Sequence, residues 1–343
     1  MAHLRCAAAL LSAAAFLCSE RAGAADPSLV DAAKKEGEVV WYTTQIINQL
    51  VRPAATAFEA KYGIKVRYVR ANATETTVKI LNESRAGRPQ VDVFDGTTTV
   101  VPLKSEGFVL QWLPDAAKRY PAAYQDPQGY WIATNLYVLT PGFNTSLVPK
   151  GGEPRTLSAL LDPQWRGKMA WSAAASNSAG PGFIGTVLRD MGEDKGMAYL
   201  RQLAQQRIAN IGGAAREVLD QVIAGEYAVA LQIFNHHAVI SAKKGAPVDW
   251  IKMEPATVTL SVVGIHKSAP HPNAGKLLVD FLTSPEGQNV FRAAEYLPAD
   301  PQVAPLDPAL RPQDGHFRAM YFTPEEAAEG VPRWKKIFDE LFR

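Results

Sequence analysis

The chain has 343 residues, with 36 Lys and Arg against 34 Asp and Glu, a net charge of +2, and 47% hydrophobic residues. That near balance, with no basic block, leaves none of the concentrated positive face that a nucleic-acid binder needs. Beyond the N-terminus no segment stays apolar for the roughly 20 residues that a bilayer crossing takes.

The first residues read as an export signal. Met1 to Arg5 is a short positive start, Cys6 to Cys18 a brief apolar run, and Ala22-Gly23-Ala24 offers small residues for a signal peptidase. A lipoprotein signal ending at Cys18 fits less well, because Leu17 occupies a position that wants a small residue. Cleavage after Ala24 is expected, which assigns residues 1–24 to the signal and places the mature protein in the periplasm. Both cysteines fall in the removed segment, so the working protein has no disulfide and no thiol nucleophile. Its stability must come from a large core, which a chain of this size usually divides over two domains.

From there strands and helices alternate. Val39 to Tyr42 is a β-favouring run that stops at Thr43-Thr44, and a helix follows, opened by Pro53 and closed by Gly63. Ile64 to Val69 reads as a second strand, leading through Asn72 and Thr74 into a helix bearing Val78, Ile80 and Leu81. Val91 to Phe94 is a third, ending at Asp95-Gly96-Thr97. This order argues for βαβ units and a mostly parallel sheet.

Tyr130 to Val148 is strand-like and runs into a Pro- and Gly-rich loop, as a chain does when it leaves one lobe for another. The second lobe then carries a strand over Lys168 to Trp171, a Ser/Ala/Gly loop, a helix with Met197, Leu200 and Leu203, and a Gly212-Gly213 turn. A helix with Val218, Leu219, Val222 and Ile223 follows, and then a strand over Ala228 to Phe234. Val248 to Ile265 is strand-like again and reads as the return crossing. The tail is helical: Ala274 to Leu282, a helix opened by Ser284-Pro285-Glu286, and one opened by a Thr323…Glu326 capping box. The expected plan is an α/β protein of two lobes, residues 25–134 with 262–343 and residues 135–261, with the last helices packed on the first lobe.

Open α/β sheets bind ligands beyond the carboxyl ends of their strands. The loops there are small and polar: Thr43-Thr44, Asn72 to Glu75, Asp95 to Thr98, Ser172 to Ser178 and Gly212-Gly213. Each precedes a helix, whose free N–H groups and dipole favour anions. The same residue types are also ordinary helix caps, and the set as a whole carries the binding reading. Thr44, Asn72, Thr74, Asp95 and Thr97 would line one side of a cleft. Ser176, Asn177, Gly213, Arg216, Asn235 and His237 would line the other, with Arg216 supplying positive charge. Asn235-His236-His237 sits at a strand end, where successive side chains face opposite ways. His236 and His237 are both candidate ligand-binding residues, the alternative being that one faces the core and the other solvent, and no metal site is expected from the pair. Trp41, Trp131, Trp171 and Trp250 lie in strand-like segments and read as core or cleft wall. No nucleophile elbow, zinc-protease, Walker or dinucleotide motif is present, so no catalytic residue and no cofactor is expected. A secreted hydrolase using His236 or His237 stands as the alternative from another class.

The segments GEVVWYTT, FEAKYGIKVRYVRANATET, RAGRPQVDVFDGT, AGEYAVALQIFNHHAV and KLLVDFLTSPEGQ resemble the extracellular solute-binding proteins of ABC importers, in the group that contains the ferric-iron-binding proteins. The resemblance implies a type II-like fold of two lobes joined by two hinge crossings, closing on a small ligand and docking, as a monomer, on a permease of the inner membrane. Ferric binders of the group carry adjacent tyrosines where this chain has His236-His237. They often carry a His after the first strand, where Gln45 to Ile47 stand here, and a Glu after the third, where Asp95-Gly96-Thr97 stand. The departures favour a small anion (an organic acid, a phosphonate or a phosphorylated compound) and leave ferric iron or an iron complex as the alternative ligand.

Overall fold

The computed structural model describes residues 25–343; the expected signal peptide, 1–24, lies outside the described residues. The elements in order are α1 (Pro27–Glu36), β1 (Glu38–Thr43), α2 (Arg52–Tyr62), β2 (Lys65–Arg70), α3 (Ala73–Arg85), β3 (Val93–Gly96), α4 (Val100–Ser105) and β4 (Ile132–Asn144). Then come β5 (Met169–Ser172), α5 (Gly180–Met191), α6 (Glu193–Ala204), β6 (Ala209–Ile211), α7 (Ala215–Ile223), β7 (Val229–Phe234), α8 (Asn235–Lys243), β8 (Val248–Trp250) and β9 (Ala256–Ile265). The tail holds α9 (Pro272–Thr283), α10 (Pro285–Ala293), β10 (Leu297–Pro298), α11 (Pro312–Gly315), β11 (Ala319–Phe322) and α12 (Pro324–Phe342). No helix among the described residues is long and apolar enough to cross a membrane.

The strands form one continuous sheet in the order β2-β1-β3-β9-β4-β7-β5-β6, with β8 and β10 added to β4 and β11 to β9. Its two ends are parallel, β1 with β2 and β3, and β5 with β6 and β7. The middle is antiparallel. β4 runs against β9 from Ile132↔Val263 to Leu139↔Thr257, then continues against β7 and β8 from Leu139 to Asn144. These two long strands are the crossings, and nearly all of their residues are buried. A strand covered on both faces reads as a continuous apolar run rather than an alternating one, which is why Leu136 to Leu139 and Val258 to Ile265 looked strand-like without clear periodicity.

Separate cores flank the crossings. One gathers Trp41, Phe58, Phe94, Trp131, Leu277 and Phe281; the other gathers Trp171, Phe183, Ile184, Leu200, Leu231 and Phe338. Trp41, Trp131 and Trp171 are fully buried; Trp250 is half-buried on β8. α5 takes the place of what looked like the end of a Ser/Ala/Gly loop. Its glycines disguise a helix because they are needed for contact: a Cβ at Gly185 would stand 2.6 Å from Trp334, and one at Gly180 2.5 Å from Phe338.

Those two aromatics belong to α12, and here the expected packing of the tail is corrected. The capping box is present, with Thr323 accepting from the Glu326 amide and Glu326 from the Thr323 amide. The body of the helix, however, buries Trp334, Ile337 and Phe338 in the second core. Phe338 lies 5.2 Å from the Trp171 ring, centroid to centroid. Only its first turn touches the first lobe, through Glu325, which accepts from Trp131 Nε1 (3.0 Å) and Lys104 Nζ (3.1 Å). Helical spacing showed an apolar face at 334, 337 and 338 but not which core would cover it.

Candidate functional site

A cleft of about 780 Å³ opens where the carboxyl ends of the strands meet, within the range of small-molecule sites. β1 delivers Thr44, Gln45 and Ile46, β2 delivers Arg70, and β3 delivers Thr97 and Thr98; β5 is followed by Ala175 to Ser178, and β7 ends at Phe234 with His237 beyond it. Thr74 and Thr77 come from the first turns of α3, and Thr323 caps α12. The start of several helices thus points at one space, and their dipoles favour negative charge there.

On the first-lobe side the loop after β1 is densely hydrogen-bonded. Asp95 is buried and accepts from Trp41 Nε1 (2.8 Å), Thr43 Oγ1 (2.5 Å), Thr44 N (2.8 Å) and Thr44 Oγ1 (2.8 Å). Burial pushes its carboxyl above the ordinary value, against the lowering effect of these donors. Gln45 donates to Asn135 (3.1 Å) and Ser261 (2.8 Å) and accepts from the Tyr137 hydroxyl (3.1 Å), tying this loop to both crossings. Asp95 therefore stands outside the cleft lining; it holds in place the Thr43-Thr44 loop, whose Thr44 lines the cleft.

The second-lobe side differs. Asn177 lines the cleft, is only 7% exposed, and neither its Nδ2 nor its Oδ1 has a partner. His236 and His237 lie on the first turn of α8 rather than in the strand, their ring centroids 4.4 Å apart. Of the two histidines expected at the ligand, His237 lines the cleft, whereas His236 is buried beside Tyr137 and Tyr296. Burial lowers the pKa of both, His236 well below its ordinary value and His237 to about 4, the Arg216 charge adding to the latter.

Of the residues expected at the site, Thr44, Thr74, Thr97, Ser176, Asn177 and His237 come together around the cleft. The others stand outside its lining, each for a visible reason. Asn72 caps α3. The Gly213 carbonyl accepts from Ser172 Oγ at 2.6 Å. Arg216 is spent on Asp220 (2.7 Å) and Ser241 (3.0 Å). Asn235 donates to the Leu310 carbonyl at 2.8 Å. Asp95 and His236 are buried as described.

The charge expected from Arg216 comes instead from Arg70, at the end of β2. Arg70 is exposed to the cleft, and no hydrogen bond or ion pair engages its guanidinium among the described residues. In sequence it is only the last residue of an alternating strand, KVRYVR, and its position before the Asn72 cap was the available signal. Tyr137 and Tyr296 also line the cleft. Burial raises both phenols, Tyr296 to about 12 and Tyr137 further.

A family model for bacterial extracellular solute-binding proteins matches residues 39–296. The chain belongs to that family, and it is a solute-binding component of ABC transport. Among relatives, it is 23% identical over 290 residues to an Fe(3+)-binding periplasmic protein of Serratia marcescens, covering 80% of this chain and 84% of that one. It is 26% identical over 326 residues to a Salmonella paratyphi A periplasmic protein named for 2-aminoethylphosphonate binding, covering 89% and 85%. In fold it is similar to the periplasmic binding protein AfuA of Actinobacillus pleuropneumoniae, solved with fructose-6-phosphate bound, at a TM-score of 0.70 and 23% identity over 89% of this chain and 98% of that one.

Proposed function

We propose that the chain is a non-catalytic periplasmic receptor that captures a small organic anion between its lobes and hands it to an inner-membrane permease. The observation that carries the anion is the charge of the cleft. Among the described residues Arg70 is the only cation in its lining and no carboxylate lines it, while His237, its pKa lowered to about 4, and the raised phenols of Tyr137 and Tyr296 are neutral at pH 7. An unpaired guanidinium beside Thr74 and Thr77, with helix N-termini around it, suits a phosphonate, phosphate or carboxylate head. Thr44, Thr97, Ser176, Asn177 and His237 would complete the contacts when the lobes close. The relatives named for aminoethylphosphonate and solved with a sugar phosphate are consistent with this chemistry.

A bare ferric ion suits the donor set less well. Among the described residues no group of three or more His, Cys, Asp or Glu side chains could hold a metal, and the cleft's phenols are pushed away from the phenolate form. The hydrolase alternative lacks a nucleophile–base pair in the cleft. Ser176 Oγ pairs with Ser178 Oγ at 2.8 Å. Ser84 does meet His266 Nε2 at 2.9 Å, but His266 Nδ1 accepts from Ser268 N, so Nε2 carries the proton and cannot act as base.

In this reading the lobes are residues 25–134 with 262 onward and residues 135–261, except that the body of α12 belongs with the second. Residues 1–24 direct export, and N-terminal sequencing of the periplasmic protein should begin at Ala25. The ligand class is tested by a thermal-shift screen over phosphonates, sugar phosphates, carboxylates and ferric citrate, because a ligand that binds only the folded state raises Tm. Organic oxyanions should raise it; a shift with ferric ion alone would overturn the reading.

A further inference from the structure

We propose that the ligand is amphipathic, a single oxyanion head on an apolar, carbon-rich body. This rests on the anion reading above and extends it to the rest of the ligand. Five large apolar side chains are conspicuously exposed among the described residues, and two of them, Ile46 (44% exposed) and Val78 (50%), line the cleft. From the second lobe α12 contributes Ala327, Ala328, Val331 and Pro332, which fall one helical turn apart and so form a stripe.

α12 is otherwise densely charged, with Glu325, Glu326, Glu329, Arg333, Lys335, Lys336, Asp339 and Glu340. Not one of these lines the cleft. The polar groups of the lining come from the strand-end loops, the first turns of α3, the crossings, Tyr296 and the Thr323 cap, and the α12 stripe itself offers no side-chain donor or acceptor. A fully hydroxylated ligand would lose water against that stripe without replacing its hydrogen bonds. An inorganic oxyanion would fill only a small part of 780 Å³. An alkyl or aryl body instead covers the stripe and the Ile46–Val78 rim, gaining about 0.8 kcal/mol per methylene, roughly fourfold in affinity.

Calorimetric titration of the mature protein with inorganic phosphate, methyl-, butyl-, hexyl- and phenylphosphonate, and fructose 6-phosphate tests this. Affinity should climb about two- to fourfold per methylene until the wall is covered, with an increasingly negative heat-capacity change, and hexyl- and phenylphosphonate should exceed fructose 6-phosphate. Val331→Asn should shrink the hexyl-to-methyl affinity ratio several-fold; because the ratio is taken within one variant, a general loss of folded protein does not mimic the effect. If methyl- and hexylphosphonate bind alike, or fructose 6-phosphate binds tightest, the proposal fails while the anion reading stands, and the apolar rims then serve lobe closure. If no oxyanion binds, both fail.

Discussion

The two banks of the cleft are built on opposite principles. On the first lobe, Asp95 gathers four donors and Gln45 three partners, so the Thr43–Ile46 loop is fixed before any ligand arrives. On the second, Asn177 has both amide atoms buried without partners, and His236 and His237 each have an unpartnered Nδ1. Unsatisfied buried polar groups cost about 1–3 kcal/mol each, and two of these residues, Asn177 and His237, line the cleft, where a ligand would reach them. One bank is a preorganised socket, and the other is completed by what it closes on. In the proposed reading, the long β4 and β9 crossings would let the banks approach without breaking either core, as hinged binding proteins do.

The sharpest way to break this contrast is Asp95→Ala. It orphans Trp41 Nε1, Thr43 and Thr44 together, and the expected loss is about 3–5 kcal/mol in urea unfolding of the unliganded protein. A loss below 1 kcal/mol would show that the socket is not what holds the first bank together. Next in size is acid sensitivity on the second bank. The folded-state pKa values of His236 and His237 are depressed, so the stability of their neutral forms is complete above about 6.5 and lost as pH falls toward 4. Tm should drop on acidification, and His237→Gln should remove about 1–3 kcal/mol of that loss; identical pH profiles would remove His237 from the account. Smallest is Asn177→Ala. It deletes atoms that bond to nothing in the chain, so the unliganded protein should keep its stability within about 0.5 kcal/mol while anion affinity falls several-fold. A destabilised, normally binding variant would place Asn177 in the structure rather than at the ligand.

The sequence disclosed what local chemistry controls. The Asn72 and Thr323 caps, the strand-end loops and the crossings at Tyr130–Val148 and Val248–Ile265 carry turn, cap and propensity signals, and the fold followed from their order. What it withheld depends on packing between distant segments. Asp220, four residues on along α7, was a legible partner for Arg216, but nothing announced Ser241, and nothing in KVRYVR marked Arg70 as unpaired. α5 was hidden by glycines whose purpose is visible only beside Trp334 and Phe338. The apolar stripe of α12 is legible as a helix face, but the cleft it borders is made with residues as distant in sequence as Thr44 and Arg70. His236 and His237 read as a strand end, but they sit on the first turn of α8, and only His237 reaches the cleft lining.

The central claim is that Arg70 carries the ligand's negative charge. Its most direct test is calorimetric titration of the wild type and Arg70→Gln with an organic phosphonate that shifts the wild-type Tm, with unliganded Tm measured in parallel. A charge-assisted contact to a guanidinium is worth about 1.5–3 kcal/mol. The expected result is 1:1 binding that weakens at least tenfold in the variant while the unliganded Tm is unchanged; equal affinity in the two proteins would contradict it.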